Sequence, residues 1–205
     1  MRANPAGRRF SATLKRAFDI GVALFALAAL PLIFIAIGVA IRLSSRGPIL
    51  FRQRRTGLNG RVFTIYKFRT MSVLEDGGII AQAARQDERV TRFGAFLRRT
   101  SLDELPQVFN ILKGEMSLVG PRPHALAHDQ HYGALISSYA DRFSVRPGMT
   151  GLAQVQGLRG GIRRLDCMTR RVAADTEYAA QWSLGGDLAI LLRTIPLLIN
   201  RTNAY

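Results

Sequence analysis

The sequence predicts an α-rich α+β protein that is attached to a membrane through its N-terminal region. Three observations predict this class: residues 20–41 carry no charge, two short strand segments flank an Asn-Gly turn, and helical patterning covers most of the rest. With 205 residues, of which 48% are apolar, the chain is long enough for one folded domain plus an anchor. We expect residues 1–46 to form a basic segment and a membrane helix, and residues 47–205 to form one region packed on them.

The uncharged run is the predicted anchor, because its 22 residues would cross the hydrocarbon core as a helix. It is too long for a signal peptide and lacks a small-residue cleavage site. Five positive charges precede it and five follow it, so charge does not select a direction of crossing. Pro31 interrupts the run and removes a helix hydrogen bond. We therefore favour a re-entrant helix hairpin that breaks at Leu30 and Pro31, with both ends cytoplasmic, over a spanning helix.

Two strands are predicted after the anchor. Leu50 and Phe51 belong to the first, and Val62–Phe68 forms the second. Asn59 and Gly60 lie between them, and this dipeptide is a strong hairpin signal. Residues 77–89, which follow the hairpin, are polar and predict a mobile loop or a loose helix.

Helical patterning predicts further helices over residues 93–99, 105–112, 125–143, 163–182 and 188–199. Gly114 is expected to end the second of them. The last is amphipathic, and it either packs in the core or lies on the membrane surface. Residues 119–123 and 146–151 contain proline and glycine that predict an extended turn and a loop.

The net charge of +15 predicts an anionic partner. Only three of the 29 basic residues are lysines, and arginine makes bidentate contacts to phosphate. We find no nucleic-acid-binding motif, and the arginine-rich residues 52–92 follow the anchor directly. Lipid phosphate is therefore the favoured partner over nucleic acid. The single cysteine, Cys167, excludes a disulfide framework and a Cys-based zinc site.

Asp103 and Glu104 form an acidic pair that could carry chemistry. A serine three residues before Glu104 gives the spacing of a helix capping box, which would be a purely structural explanation. Against it, Pro106 disturbs the helix that such a box would begin. Arg98 and Arg99 precede the pair and should keep Asp103 ionised. An ionised carboxylate among phosphate-binding cations can bind Mg²⁺ or attack phosphorus. From the residues alone, the structural explanation and the chemical one both stay open.

His124, His128 and His131 have the spacing of metal ligands on a helix. No cysteine or carboxylate near them completes a tetrahedral set, so a zinc site is disfavoured.

Four sequence blocks resemble those of the bacterial sugar transferase family, the monotopic phosphoglycosyl transferases. They are residues 66–71 (YKFRTM), 98–107 (RRTSLDELPQ), 109–123 (FNILKGEMSLVGPRP) and 145–157 (VRPGMTGLAQVQG). The blocks stand in family order, and the resemblance runs from about Leu14 to Ile195. It implies a re-entrant N-terminal helix with both ends in the cytoplasm. It also implies transfer of a sugar phosphate from a nucleotide sugar to polyprenyl phosphate at the inner membrane.

The resemblance implies roles for particular residues. Asp103 is the expected nucleophile, which would form a phosphosugar–enzyme intermediate, and Glu104 is its partner. Both are expected to be ligands of Mg²⁺, and Pro31 is the expected break in the membrane helix. The expected substrate-binding cations are Lys67, Arg69, Arg98, Arg122 and Arg146, the last as a nucleotide contact.

Within the family, the chain resembles undecaprenyl-phosphate glucose phosphotransferases of exopolysaccharide synthesis, although Leu152 and Leu158 stand where tryptophans are usual. The implied reaction moves hexose-1-phosphate, glucose-1-phosphate in the first place, from a UDP-sugar to undecaprenyl phosphate and releases UMP. The implied location is the cytoplasmic face of the bacterial inner membrane, with anionic lipids as partners and no nucleic acid. The donor sugar and the formation of a homo-oligomer stay open. So do two alternative functions: a glycosyltransferase that releases UDP, and a non-catalytic basic membrane scaffold.

Overall fold

The computed structural model describes residues 5–72, 87–162 and 164–199. The helices in these ranges are α1 (Pro5–Ala29), α2 (Pro31–Ser44), α3 (Arg92–Thr100), α4 (Val108–Lys113), α5 (Leu126–Leu135), α6 (Leu152–Val155), α7 (Leu165–Gln181) and α8 (Leu184–Ile199). The strands are β1 (Leu50–Thr56), β2 (Val62–Phe68), β3 (Ser117–Val119) and β4 (Gly148–Thr150). Short 3₁₀ helices span Leu58–Gly60, Leu102–Gln107 and Tyr139–Ser144. Small sheets among many helices confirm the predicted α-rich α+β class.

The uncharged N-terminal run is broken at the predicted place. α1 ends at Ala29 and α2 begins at Pro31, with a bend of 67° between them. Pro31 lies in the first turn of α2, where its missing N–H costs no helix hydrogen bond. None of the helices in the described ranges is by itself long and apolar enough to cross a membrane. The bent pair Phe10–Ala29 and Pro31–Ser44 reaches that length and hydropathy when the two helices are taken together.

α1 is joined to the rest of the molecule by polar side chains as well as by packing. Lys15 Nζ lies 2.6 Å from Asp187 Oδ2 in α8. Asp19 Oδ1 accepts a hydrogen bond from the backbone N–H of Leu118 in β3 at 3.0 Å. Ala23, which is fully buried, packs in a core with apolar side chains of β2 and α4. The helix predicted as an anchor is therefore also a part of the folded core.

The predicted hairpin is confirmed, and its first strand is longer than expected. β1 and β2 pair antiparallel from Leu50 opposite Phe68 to Thr56 opposite Val62. Asn59, with φ of 53°, takes the left-handed conformation that the Asn-Gly signal predicts for the turn. The last five residues of β1 were not predicted, because the three arginines among them obscure the alternation of buried and exposed residues.

A parallel strand pair corrects the prediction of a loop over residues 146–151. β4 lies in this segment and pairs with β3, with Ser117 opposite Gly148 and Val119 opposite Thr150. A Cβ atom on Gly148 would lie closer to the Gly120 nitrogen than van der Waals contact allows. The glycine that predicted a loop instead permits two backbones to approach closely.

Two helix predictions need correction as well. Residues 125–143 do not form one helix, because α5 ends at Leu135 and a separate 3₁₀ helix spans Tyr139–Ser144. The break lets Ile136 and Tyr139 pack with Met168 and Val172 of α7 in a buried cluster. Tertiary packing therefore overrides the helical pattern. Residues 105–112 begin as the 3₁₀ helix Leu102–Gln107 and continue as α4, which ends at Gly114 as predicted.

The remaining predicted helices are confirmed by α3, α7 and α8. One side of α8 packs in the core, as one of the two alternatives for this helix predicted, and its place on a membrane surface stays a prediction. Its Ile190 is buried in a cluster with β3 and α7, whereas Leu188, Leu192 and Ile195 are each more than half exposed. The predicted loop over residues 77–89 lies outside the described residues, apart from its last three positions.

We expect Gly148→Ala to destabilise the fold by at least about 2 kcal/mol, because the new Cβ would meet backbone atoms on both sides that cannot move aside. Gly133→Ala in α5 is the matched control, since the nearest atom to its Cβ would be a Tyr139 ring carbon at 3.9 Å. The control should keep or slightly raise the melting temperature. Thermal unfolding of both variants measures the difference, and equal melting temperatures would contradict the close packing of β3 and β4.

Candidate active site

A cavity of about 400 Å³ brings several of the sequence-predicted residues together. Its charged lining comprises the acidic pair and four cations: Asp103, Glu104, Lys67, Arg98, Arg122 and Arg159. Its apolar lining includes Leu102, Leu118, Met149, Leu191, Leu197 and Leu198. The cavity therefore combines a cluster of charges with a wall of aliphatic side chains.

The acidic pair begins the 3₁₀ helix that follows α3. Ser101 ends α3 in the left-handed conformation, with φ of 58°, and the turn delivers Asp103 and Glu104 to the cavity. The Ser101 side chain makes no capping hydrogen bond. The capping-box explanation for this sequence is therefore wrong, because neither its serine nor its glutamate caps a helix.

Glu104 forms the closest ion pairs of the cavity. Its Oε1 atom lies 2.8 Å from Lys67 Nζ and 2.6 Å from Arg122 Nη2, and Arg122 Nη1 donates to Oε2 at 3.3 Å. Burial alone would raise the pKa of Glu104, but the charges and hydrogen bonds of Arg122 and Lys67 hold it well below its usual range. Glu104 is therefore ionised at neutral pH, and it fixes the positions of two cations.

Asp103 lies in a different electrostatic environment, although it is the neighbouring residue. It is 9% exposed, and burial together with the charge of Glu104 raises its pKa to about 6, against the opposing charges of Lys67, Arg122 and Arg98. The prediction that Arg98 and Arg99 keep it ionised is corrected in part, because the charge of Arg98 favours ionisation but burial outweighs it and raises the pKa. Asp103 is mainly ionised at neutral pH, but its charge is poorly solvated, which is typical of functional carboxylates.

Two of the predicted substrate-binding cations lie elsewhere. Arg69 is buried, and its guanidinium donates to the carbonyl of Ser45 at 2.7 Å and to that of Arg46 at 2.9 Å, just after α2. Arg146 is exposed, and its Nε donates to the Gly114 carbonyl at 2.9 Å. Neither lines the cavity, so their roles as substrate contacts stay predictions.

Some lining residues were not found from the sequence. Arg159 lies in a stretch of glycine and leucine far along the chain from the acidic pair, and only its place between two glycines hints at a loop near a phosphate. The leucines of α8 look like ordinary core residues in the sequence. Their place in the cavity depends on how α8 packs against β3 and β4, which no local pattern encodes.

His124 lies apart from the cavity lining in a buried polar cluster. Its Nδ1 atom lies 2.8 Å from the Tyr139 hydroxyl and 2.7 Å from Arg142 Nη1. Burial, with the charge of Arg142, lowers the pKa of His124 well below its usual value, so the ring is neutral. Among the described residues, no group of three or more His, Cys, Asp or Glu side chains is arranged to hold a metal ion.

Comparison with known proteins gives a consistent result. A family profile described as bacterial sugar transferase matches residues 10–201. The chain is 56% identical over 193 residues to a UDP-glucose:undecaprenyl-phosphate glucose-1-phosphate transferase of Caulobacter vibrioides, and the match covers 93% of this chain and 72% of that protein.

Proteins of the same name from Xanthomonas campestris and Escherichia coli are 50% and 48% identical over 185 and 182 residues. Those matches cover 90% and 89% of this chain. The chain spans only 38% and 39% of the length of these two relatives.

The two acidic residues should respond oppositely to neutralisation. Asp103→Asn removes a charge that burial disfavours, so it should stabilise the protein at pH 7 by roughly 1–3 kcal/mol. Glu104→Gln leaves Lys67 and Arg122 without their countercharge, so it should destabilise by roughly 1–3 kcal/mol, since solvent partly screens both cations. Thermal or denaturant unfolding measures both changes. Destabilisation by Asp103→Asn would contradict the unfavourable burial of that charge.

The stabilisation by Asp103→Asn should depend on pH in one direction. The folded wild type takes up a proton as the pH falls through about 6, whereas the unfolded chain does so only near 4. The cost of the buried charge is therefore relieved between these values, and the advantage of the Asn variant should shrink from pH 7 to pH 4. An advantage that grows on acidification would contradict a raised pKa.

Proposed function

The chain belongs to the bacterial sugar transferase family, and we propose that it transfers hexose-1-phosphate from a UDP-sugar to undecaprenyl phosphate and releases UMP. The names of the relatives support glucose as the hexose. The observation that carries the proposal is the buried Asp103 carboxylate, ionised at neutral pH and surrounded by cations in a cavity that also has an apolar wall. The phosphate groups of both substrates match the cationic lining, and the lipid chain of the acceptor matches the apolar wall.

In the first half of the reaction, an Asp103 carboxylate oxygen attacks the phosphorus that carries the sugar. The bond from this phosphorus to the bridging oxygen breaks, and UMP leaves with that oxygen and its electron pair. The hexose phosphate is then joined to Asp103 as an acyl phosphate. Poor solvation of the carboxylate favours the attack, because little hydration has to be removed.

In the second half, a phosphate oxygen of undecaprenyl phosphate attacks the same phosphorus. The bond to Asp103 breaks, and the carboxylate is regenerated while the lipid diphosphate sugar leaves. Lys67 and Arg122 lie beside the acidic pair in both halves and can neutralise charge on the non-bridging oxygens. Glu104 holds both cations in place, so they need not reorganise during the reaction.

Mg²⁺ fits this site as a shared ion. Mg²⁺ is usually bound through one or two carboxylates together with substrate phosphates. Asp103 and Glu104 both line the cavity, and the contact of Glu104 Oε2 to Arg122 is, at 3.3 Å, longer than the two contacts of Oε1. These carboxylates would therefore hold the ion, which supplies further neutralisation of phosphate charge when bound.

We place the bent helix pair in the cytoplasmic leaflet of the bacterial inner membrane as a re-entrant hairpin. Lys15, in α1, is bonded to Asp187, and Ser45, just after α2, accepts a hydrogen bond from Arg69. Both arms of the pair are thus tied to the same folded region, whereas a spanning helix would separate its ends by about 30 Å. The exposed apolar side chains Phe25, Leu32 and Leu43 are available for lipid.

The wall of α8 supports a lipid acceptor. Leu191 and Leu198 line the cavity, and Leu198 is also 47% exposed beside the outer apolar stripe of Leu188, Leu192 and Ile195. An isoprenoid chain can therefore leave the cavity along a continuous apolar surface while its phosphate stays among the cations.

The covalent step predicts a burst of product without acceptor. Enzyme incubated with UDP-glucose and Mg²⁺, but no lipid phosphate, should release about one UMP per active site and gain one hexose phosphate on the peptide containing Asp103, measured by mass spectrometry. Asp103→Asn should give neither product, and its predicted extra stability separates this loss from unfolding. Release of UDP would instead indicate a glycosyltransferase, and release of UMP only with lipid present would indicate direct transfer.

Leu198→Gln should raise KM for undecaprenyl phosphate about tenfold, because it places an amide on the proposed path of the chain. KM for a short acceptor such as geranyl phosphate and the acceptor-free UMP burst should not change. Leu135→Gln, at a leucine of similar exposure in α5 outside the cavity lining, is the control. An unchanged KM for the long acceptor would contradict this path.

A further inference from the structure

We propose that Arg142 and Asp175 are positioning residues, which hold Arg122 against Glu104 by fixing the backbone of the loop that carries Arg122. This inference rests on the proposed function, because it assigns a purpose to two residues that do not line the cavity. The loop, residues 120–123, connects β3 to the segment before α5.

Two prolines limit the backbone hydrogen bonds that the loop can make. Pro121 and Pro123 lack N–H groups, so they cannot donate to a strand ladder or a turn. The Gly120 N–H donates to the Thr150 carbonyl at 2.8 Å, and the rest of the loop is held through its carbonyl oxygens by donors from other parts of the chain. The Pro121 carbonyl accepts from the backbone N–H of Gly148 at 3.0 Å, and the Pro123 carbonyl accepts from Arg55 Nη1 at 3.3 Å.

The carbonyl of Arg122 itself receives the shortest of these bonds. Arg142 Nη2 donates to it at 2.7 Å. The same guanidinium is fixed by Asp175 in α7, whose Oδ2 accepts from Nη2 at 2.6 Å and from Nε at 3.1 Å. Arg142 and Asp175 are 2% and 1% exposed, so the donor is held by a buried ion pair.

The remaining side of the guanidinium is occupied as well. Arg142 Nη1 lies 2.7 Å from His124 Nδ1 and donates to the Tyr139 hydroxyl at 3.1 Å. The Tyr139 hydroxyl in turn donates to Asp129 Oδ1 at 2.7 Å. Arg142 therefore cannot rotate away from the Arg122 carbonyl without losing several hydrogen bonds at once.

Burial of the Arg142–Asp175 ion pair removes two charges from water, which costs more free energy than one hydrogen bond to a carbonyl returns. Apolar residues of similar volume often replace such a pair without loss of stability, so stability alone does not explain its presence. What the pair provides is a rigid donor at one backbone position. The side chain of that position makes the bidentate contact with Glu104, so movement of its backbone would move the cation at the phosphates. A misplacement of about 1 Å at such a site can cost about a hundredfold in rate.

The test is a double-mutant cycle on the acceptor-free UMP burst, measured in single turnover with UDP-glucose and Mg²⁺. Arg142→Lys keeps the charge but cannot reach both Asp175 and the Arg122 carbonyl with a planar fork. If Arg142 acts through Arg122, Arg142→Lys should slow the burst about tenfold to hundredfold in the wild-type background. It should slow the burst less than about twofold when Arg122→Gln is already present, because the interaction it supports is then gone.

Arg16→Lys is the matched control. Arg16 also donates to backbone carbonyls, those of Ile111 and Leu112, but it does not line the cavity or contact the loop. Its effect on the burst should be the same factor with or without Arg122→Gln. If Arg142→Lys also lowers the rate by the same factor in both backgrounds, it acts on the fold in general and the proposal is wrong. If Arg142→Lys does not fold, Asp175→Asn, which keeps size and shape, takes its place in the cycle.

The same double-mutant cycle can be measured by thermal unfolding, which does not depend on enzymatic activity. The melting temperature lost on Arg122→Gln reports the pairing of Arg122 with Glu104, and this loss should be smaller in the Arg142→Lys background. Equal losses in both backgrounds would overturn the positioning role. An absent burst in the wild type would contradict the proposed covalent reaction and leave the thermal unfolding cycle to decide on Arg142.

Discussion

The site depends on placing two adjacent carboxylates in one buried cavity. The two charges repel, and burial disfavours both of them. The structure assigns the two countercharges mainly to Glu104, which makes direct bonds to Lys67 and Arg122, while Asp103 keeps a raised pKa beside them. Glu104 therefore fixes the positions of two cations, and Asp103 is the carboxylate that the proposed reaction uses. Two neighbouring carboxylates therefore differ in pKa because their surroundings differ.

This arrangement requires segments that are distant in the chain. Lys67 comes from β2, the acidic pair from a 3₁₀ helix, and Arg122 from the loop after β3. Backbone features help to position each of them: the hairpin register, the left-handed Ser101, and the carbonyl contacts of a loop with two prolines. The short parallel pair of β3 and β4 matters for the same reason, since β4 donates to the loop through Gly148.

The parts of the fold that follow from local chemistry were predictable from the sequence. Pro31 marks the break between α1 and α2, Asn59 marks the hairpin turn, and Gly114 ends α4, because each residue restricts the backbone wherever it stands. β4 and the end of α5 were not predictable, since they depend on partners far along the chain, such as Ser117 for Gly148.

In the site, the residues alone indicated the acidic pair, and the family motifs added the lining cations Lys67, Arg98 and Arg122. Burial is a property of the whole fold, so neither the raised pKa of Asp103 nor the structural contacts of Arg69 could be read from those motifs.

The helices α1 and α2 also belong to the folded core, so they cannot be removed without loss of core packing. Ala23 of α1 and Ile41 of α2 are fully or almost fully buried, and they pack in two different core clusters with side chains of the hairpin and of α3 and α4. Removal of the pair would expose the other side of both clusters to water. It would also leave Asp187 without Lys15 in a largely buried position, where an unpaired charge is costly. The helix pair therefore completes two core clusters of the folded region, and under the proposed membrane placement the fold itself would set the position of Asp103 relative to the lipid surface.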